Sequence, residues 1–507
     1  MSRALVIFVH GWSVTSTDTY GQLPARLRAE SERRGGPALD IHHVYLGQYV
    51  SFRDEVRVAD IARAFDAALA PVLAEAGGNR RFVCITHSTG GPVLREWVER
   101  FFVQPKRLDT CPMSHLVMLA PANFGSALAQ LGKTRIASLK SWFQGIEPGQ
   151  GVLDWLELGS SEANALNLRW IHDYPKLKLT RSANPLFQFV LTGDAIDRKL
   201  YDHVNSYTGE PGSDGVVRVS SANLNACHLV LRQPGTREGE ALPSARKRLR
   251  SLEPVDDARA ERTAFRIIPG TAHSGDAMGI MRSVANDDRP HPTVDAILRC
   301  LAVRDHATYQ ALCNEFDAEN ELHQTPQRRV EMERIPVLPD RAHITDPHAM
   351  VIFRLFDQEG ARVDDVDLLL TAGPADDPNQ LPSGFLRDRQ GNRRSGAVCF
   401  QFNHAVLAGC EPILRPDGRV ARGELIPRPP YGLRLDPRVQ ERFVETWQAA
   451  YTSDMGGLLQ WIQPNQTTII DIHLQRIVRS GVFRLTRSLA ARDFRRDELG
   501  PAIAGKP

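Results

Sequence analysis

The stretch Arg81–Gly91, RFVCITHSTGG, decides the reading of the chain. Phe82, Val83, Cys84 and Ile85 form a short apolar run that suits a fully buried central strand. Thr89, Gly90 and Gly91 then lead into PVLREWVERFF, which has the pattern of a helix opening. A serine between such a strand and such a helix sits on a sharp turn that pushes its hydroxyl out of the sheet. The helix N-terminus adds free N–H groups beside any developing negative charge. Ser88 is therefore the candidate nucleophile. The usual pattern is G-x-S-x-G, and Thr86 stands at its first glycine, which predicts a slightly wider turn. The competing reading is a buried strand that ends in an ordinary turn.

Outward from this stretch, strands and helices alternate. Leu5–Val9 reads as a buried strand and runs into His10, Gly11 and Trp12, a loop whose backbone N–H groups face outward. Tyr20–Arg34 is helix-like, Ile41–Leu46 strand-like, and Val58–Glu75 helical. Ser114–Ala120, Phe187–Leu191 and Thr263–Ile268 read as further strands. The alternation predicts βαβ units and a mostly parallel sheet. It stops over 126–184, an insert with Trp142, Phe143, Trp155, Leu156, Leu158 and Trp170. Two readings of this insert stay open: a lid or acyl-binding cap, and a helical subdomain with an ordinary core.

A serine hydroxyl needs a base within hydrogen-bond reach, and the base needs an acidic orienter. His273, in IIPGTAHSGDAMGI, follows the last strand of the alternation and is the candidate base among 16 histidines. His10 and His87 read as architectural. Asp214, in GSDGVVRVSSAN, is the candidate acid, with Asp194 and Asp197 as rivals. The oxyanion hole is expected from the backbone N–H groups of Thr89 and Trp12.

With these pieces in place, the first 300 residues or so resemble the α/β-hydrolase fold, and within it bacterial lipases and related esterases. The pieces are V-H-G-W, T-H-S-T-G-G, A-P-A-N-F-G-S, S-D-G-V-V and A-H-S-G, in the order Ser, Asp, His. The resemblance supports Asp214, because such lipases place their acid in a comparable Asp-Gly-x-Val segment. It implies a serine carboxylic-ester hydrolase acting on lipid-like acyl esters through an acyl-enzyme. The alternatives are an esterase or acyltransferase on small soluble esters, and an inactive hydrolase scaffold that serves as a binding module. Some related lipases hold a structural calcium through an Asp shortly after the histidine. Asp276 is comparable, but no second ligand is evident, so no metal or other cofactor is expected.

The remaining chain reads differently. Pro292–Val303 closes the first domain, Asp305–Gln324 is a polar helix, and TPQRRVEMERIPVLPDRAHITDP a linker. Beyond it, Met350–Phe356 and Val366–Leu370 read as strands joined near Gln358–Gly360; Ala397–Phe402, Thr467–Leu474 and Val482–Thr486 follow, with Arg438–Tyr451 helical. In Thr467–Leu474, Ile470, Ile472 and Leu474 alternate with polar residues, which suits a strand with one wet face. The expected domains are a catalytic α/β-hydrolase domain over 1–304 with its lid-like insert, a helical linker over 305–346, and a C-terminal antiparallel β domain over 347–507.

The 507 residues carry a net charge of +2, which gives no electrostatic drive toward nucleic acid or an anionic membrane. Seven scattered cysteines without C-x-x-C spacing argue against a disulfide framework or a zinc site. No signal peptide or membrane-spanning run is visible, so a cytoplasmic location is expected, with signal-less secretion left open. Contact with a membrane would be peripheral, through the insert or the C-terminal domain.

Overall fold

Residues 3–9, 17–45, 53–75, 77, 81–132, 149–196, 210–235, 249–333, 340–438, 443–452, 457–479, 493, 495, 497 and 502–503 are described by a computed structural model. The alternating apolar strands assemble as predicted. They are β1 (Arg3–Val9), β2 (Ala38–Val44), β3 (Phe82–His87), β4 (Met113–Leu119) and β5 (Phe187–Gly193). After β6 (Cys227–Arg232) and β7 (Glu253–Arg259), which join another sheet, β8 (Ala264–Ile268) completes the set. The order is β2-β1-β3-β4-β5-β8, and every neighbouring pair is parallel.

Successive side chains of each strand point to opposite faces, so both faces need cover. On one face Leu5, Ile7, Cys84 and Met118 meet α2 (Val58–Glu75) and α3 (Gly90–Val98), with Phe65, Val93 and Trp97 between them. The insert adds α4 (Gln150–Leu156) and α5 (Ser161–His172) on this side. Its Trp155, Leu156, Leu158 and Trp170 are buried in this core. Trp142 and Phe143 lie outside the described residues. On the other face Val6, Phe8, Val83, Ile85 and Val117 meet α1 (Leu23–Arg33), α6 (Pro292–Ala302) and α7 (His306–His323).

Helix α7 departs from the expectation of a linker. Its Tyr309, Leu312 and Phe316 enter the same core. Asn320 Nδ2 donates to Phe265 O at 2.8 Å, and Asn320 Oδ1 accepts from Ile267 N at 2.8 Å. The helix thus covers the β8 edge with a peptide-like amide, which explains polar residues on a packed element. The following segment forms a small antiparallel ladder, Val330–Glu333 with Arg341–Ile344.

The second large sheet contains β9 (His348–Asp357), β10 (Leu386–Gly391), β11 (Val398–Asn403) and β12 (Thr467–Leu474), in the order β10-β11-β9-β12-β6-β7. It takes strands from both sides of residue 304. The outer pairs β10-β11, β11-β9 and β6-β7 are antiparallel, whereas β9-β12 and β12-β6 are parallel. A three-stranded antiparallel sheet of Val366–Ala372, Tyr431–Pro437 and Ala449–Tyr451 packs against it around Phe353, Leu433, Ile470 and Ile472. Met350–Phe356 and Val366–Leu370 therefore sit in different sheets and do not form a hairpin. The helix expected over Arg438–Tyr451 is replaced by strands at Val444–Thr446 and Ala449–Tyr451, because pairing with Arg476–Arg479 and with Tyr431–Pro437, respectively, satisfies the backbone better than a short isolated helix. Val482–Thr486 falls outside the described residues.

The predicted wet face of β12 is largely dry, with His473 half-buried. Ile469 on that face enters the hydrolase core, and Asp471 and Gln475 are buried. Arg354 on β9 clasps Asp471, with Nε 2.6 Å from Oδ1, and His228 Nε2 on β6 lies 3.1 Å from Oδ2. His172 at the end of α5 meets His228 Nδ1 at 2.8 Å. The polar positions face a seam against the hydrolase domain, where ion pairing replaces water.

Candidate active site

Ser88 follows β3 with φ of 54°, a left-handed conformation uncommon for a residue with a Cβ. Its N–H donates to Leu119 O at 2.9 Å, which ties the turn to the end of β4. Helix α3 begins at once, with Thr89 as its cap residue. Gly91 is required by close approach: a Cβ there would lie 2.8 Å from Pro121 Cβ and 3.2 Å from Met118 Sδ. Thr86 is wholly buried, and its Oγ1 has no hydrogen-bond partner among the described residues. The elbow accommodates this Cβ while keeping the strained serine. Behind the helix, Arg95 Nη1 donates to Asn167 Oδ1 at 2.9 Å, and burial pushes the guanidinium down to about 10. This pins α3 to the insert.

His273 lies beyond β8, past a turn at Pro269–Gly270. The Ala272 N–H donates to Met278 O at 2.8 Å, closing the loop. The tip of β5 abuts it: Ala195 N donates to Thr271 O at 3.1 Å, and a Cβ on Gly193 would stand only 1.8 Å from that oxygen. The histidine ring bridges the other two candidates. Nε2 is 3.1 Å from Ser88 Oγ, and Nδ1 is 2.9 Å from Asp214 Oδ2. With Nδ1 carrying the proton, Nε2 is free to accept from the serine.

Asp214 is 0% exposed and divides its two oxygens. Oδ1 accepts from Val216 N at 3.0 Å and Val217 N at 2.8 Å, leaving Oδ2 for the imidazole. The Asp214 carbonyl also accepts from His273 N at 2.9 Å. The turn needs Gly215, whose φ is 93°. The rival Asp194 is engaged elsewhere, with Oδ2 2.6 Å from His323 Nε2 on α7. Asp197, like His10 and Trp12, lies outside the described residues. Ser88, Asp214 and His273 are thus brought together, Thr89 adjoins them, and Trp12 is not described.

One contact was not foreseen. His87 Nε2 donates to the His273 carbonyl at 3.1 Å, and the two rings lie 4.6 Å apart. The residue before the serine braces the backbone of the base. Its place beside Ser88 was the only signal available in sequence.

Phospholipase PlaB from Legionella pneumophila is 39% identical to this chain, covering 97% of both chains with a TM-score of 0.81. This chain belongs to the PlaB family. A second structure of that phospholipase, in complex with thio-NAD, matches at 38% identity and the same TM-score, covering 99% of this chain and 100% of that one. No protein-family profile and no curated protein matches the chain. Membership makes this PlaB-family chain a serine hydrolase with an α/β-hydrolase fold and a C-terminal β domain. Asp276, considered above for calcium, pairs with Arg282. Among the described residues no group of three or more His, Cys, Asp or Glu could hold a metal, and no helix is long and apolar enough to cross a membrane. All seven cysteines are free.

Proposed function

We propose that this serine hydrolase cleaves acyl esters of phospholipids through Ser88, His273 and Asp214. The observation that carries the chemistry is the imidazole with Nε2 3.1 Å from Ser88 Oγ and Nδ1 2.9 Å from Asp214 Oδ2. The substrate class rests on the 39% identity to a phospholipase across the whole chain. His273 Nε2 takes the proton as Ser88 Oγ attacks the acyl carbonyl, and Asp214 stabilises the imidazolium that forms. The oxyanion is held by the N–H of Thr89 and that of Trp12. The imidazolium gives its proton to the leaving alcohol, and water then attacks the acyl-enzyme with His273 again as base. Contact with the lipid surface is peripheral, through the insert or the C-terminal domain.

The test is hydrolysis of phosphatidylglycerol and phosphatidylcholine vesicles, and of a soluble p-nitrophenyl ester, by wild type and Ser88→Ala. Loss of roughly 10⁴-fold or more on all substrates is expected, with circular dichroism unchanged. Retained turnover would remove Ser88 from the mechanism. Cleavage of the soluble ester but of neither lipid would leave a plain esterase.

A further inference from the structure

The turn that carries Asp214 is built from the hydrolase domain, yet much of its support comes from the second sheet. Arg218 ends the turn. Its backbone bridges Ser213, and the Val219 N–H donates to Gly212 O at 2.9 Å. Immediately before it stand Val216 and Val217, the two N–H donors that fix Asp214 Oδ1. The Arg218 side chain is fully buried, with 0% exposure. Nη2 donates to Glu210 Oε1 at 2.7 Å and Nε to Glu210 Oε2 at 3.1 Å, and Nη2 also pairs with Asp388 on β10. Two carboxylates flank one cation, so burial, which opposes the charge, is outweighed and its pKa is raised. Other groups of the second sheet press on the same segment. Gln401 Nε2 on β11 donates to Pro211 O at 3.0 Å, and Thr467 Oγ1 on β12 donates to Ser220 O at 2.8 Å. A Cβ on Gly212 would meet the His348 ring at 2.5 Å.

We propose that Asp388 is a positioning residue for the triad acid, acting through Arg218, so that the C-terminal sheet is a working part of the hydrolytic site. This rests on the Ser88–His273–Asp214 reading above. A buried cation left with one carboxylate re-centres on Glu210, which precedes the turn. The Val216 and Val217 donors shift with it, and Asp214 Oδ2 loses its aim at His273 Nδ1. The substrate contacts are not altered, so the cost falls on the chemical step. A poorly aimed carboxylate also stabilises the imidazolium less.

The experiment measures kcat and KM for a soluble p-nitrophenyl ester from pH 5 to 9. It uses wild type, Asp388→Asn, Asp388→Glu and Ser88→Ala, with kcat of the first three expressed per serine titrated by a fluorophosphonate and that of Ser88→Ala per mole of protein. Asp388→Asn is expected to lose kcat roughly ten- to hundred-fold with KM within about twofold. Its acid limb of kcat/KM moves to lower pH, and Asp388→Glu recovers part of the loss. Should Asp388→Asn not fold, Gln401→Met tests the same sheet's hold on the turn through Pro211 O, with a smaller loss of kcat and the same direction of shift. Wild-type kcat per reactive serine, an unmoved acid limb, or a Glu variant no better than Asn overturns the proposal. If Ser88→Ala keeps its activity, the triad reading itself falls. If Ser88→Ala is inactive and Asp388→Asn behaves as wild type, only the positioning role falls.

Discussion

The parallel sheet and the mixed sheet bury themselves by different means. In the parallel sheet, β3 and β4 present apolar side chains to both faces, and helices cover each with more apolar surface. In the mixed sheet, β12 sends Ile470, Ile472 and Leu474 into an apolar core and turns Asp471 toward the hydrolase domain, where it is buried as well. The first sheet is held mainly by burial of close-packed apolar area. The second is held at its seam by directional contacts among Asp471, Arg354 and His228. The acid turn lies where the two meet. It takes Ser126 from one side, whose Oγ donates to Val216 O at 2.6 Å, and Arg218–Asp388 from the other.

The largest expected effect breaks the comparison on the parallel side. Gly193→Ala places a Cβ 1.8 Å from the Thr271 carbonyl, an overlap that only backbone movement relieves. It displaces the loop of His273, so a loss of kcat of roughly 100-fold is expected, with a destabilisation of about 3 kcal/mol. Ester turnover and a urea melt check both. Next, Asp471→Ala removes the acceptor at the seam and leaves Arg354 and the His228–His172 pair without it. A loss of about 3 kcal/mol in urea unfolding is expected, with kcat per reactive serine changed far less than by Gly193→Ala. Should kcat fall as far as in Gly193→Ala, the seam is coupled to the site more tightly than through Arg218 alone.

The smallest effect compares one histidine from each sheet. Burial lowers His115 on β4 and His348 on β9 each to about 4. Their folded forms favour the neutral ring, whereas the unfolded value is near 6.5. Each therefore contributes stability that is complete above about pH 6.5 and is lost as pH falls toward about 4, at roughly 1.4 kcal/mol per pH unit per histidine. Urea midpoints at pH 7, 6 and 5 are expected to fall with this slope. His115→Gln and His348→Gln should each flatten it by a similar amount, since both regions are equally dry. A slope that only His115→Gln flattens would mean that the seam admits water.

The same contrast explains what was legible in the sequence. Ser88 and His273 could be read because each comes shortly after a recognisable apolar strand, and Asp214 because it adjoins Gly215, which a tight turn requires. Helix α2 and strand β12 fell within the expected bounds because their periodicity is clean. Strand β7, EPVDDAR, was missed: it is an almost wholly exposed edge strand rich in acidic residues, which have low strand preference. Strand β6 was missed because its partner β12 lies some 240 residues later, and no local pattern announces that pairing. Asp471 was read as solvated because alternation reports which side of a strand a residue faces, not whether that side is wet. Asp388 and Arg218, 170 residues apart, carry no sequence signal at all. Local chemistry is written locally, whereas support across the seam arises only when distant segments pair.

The most direct measurement is peptide mass spectrometry of the full-length protein treated with a fluorophosphonate, alongside Asp214→Asn and His273→Gln. A single adduct on Ser88, forming at least 100-fold more slowly in both variants, is the predicted result. An adduct on another residue, or one on Ser88 that forms at an unchanged rate in the variants, would contradict it.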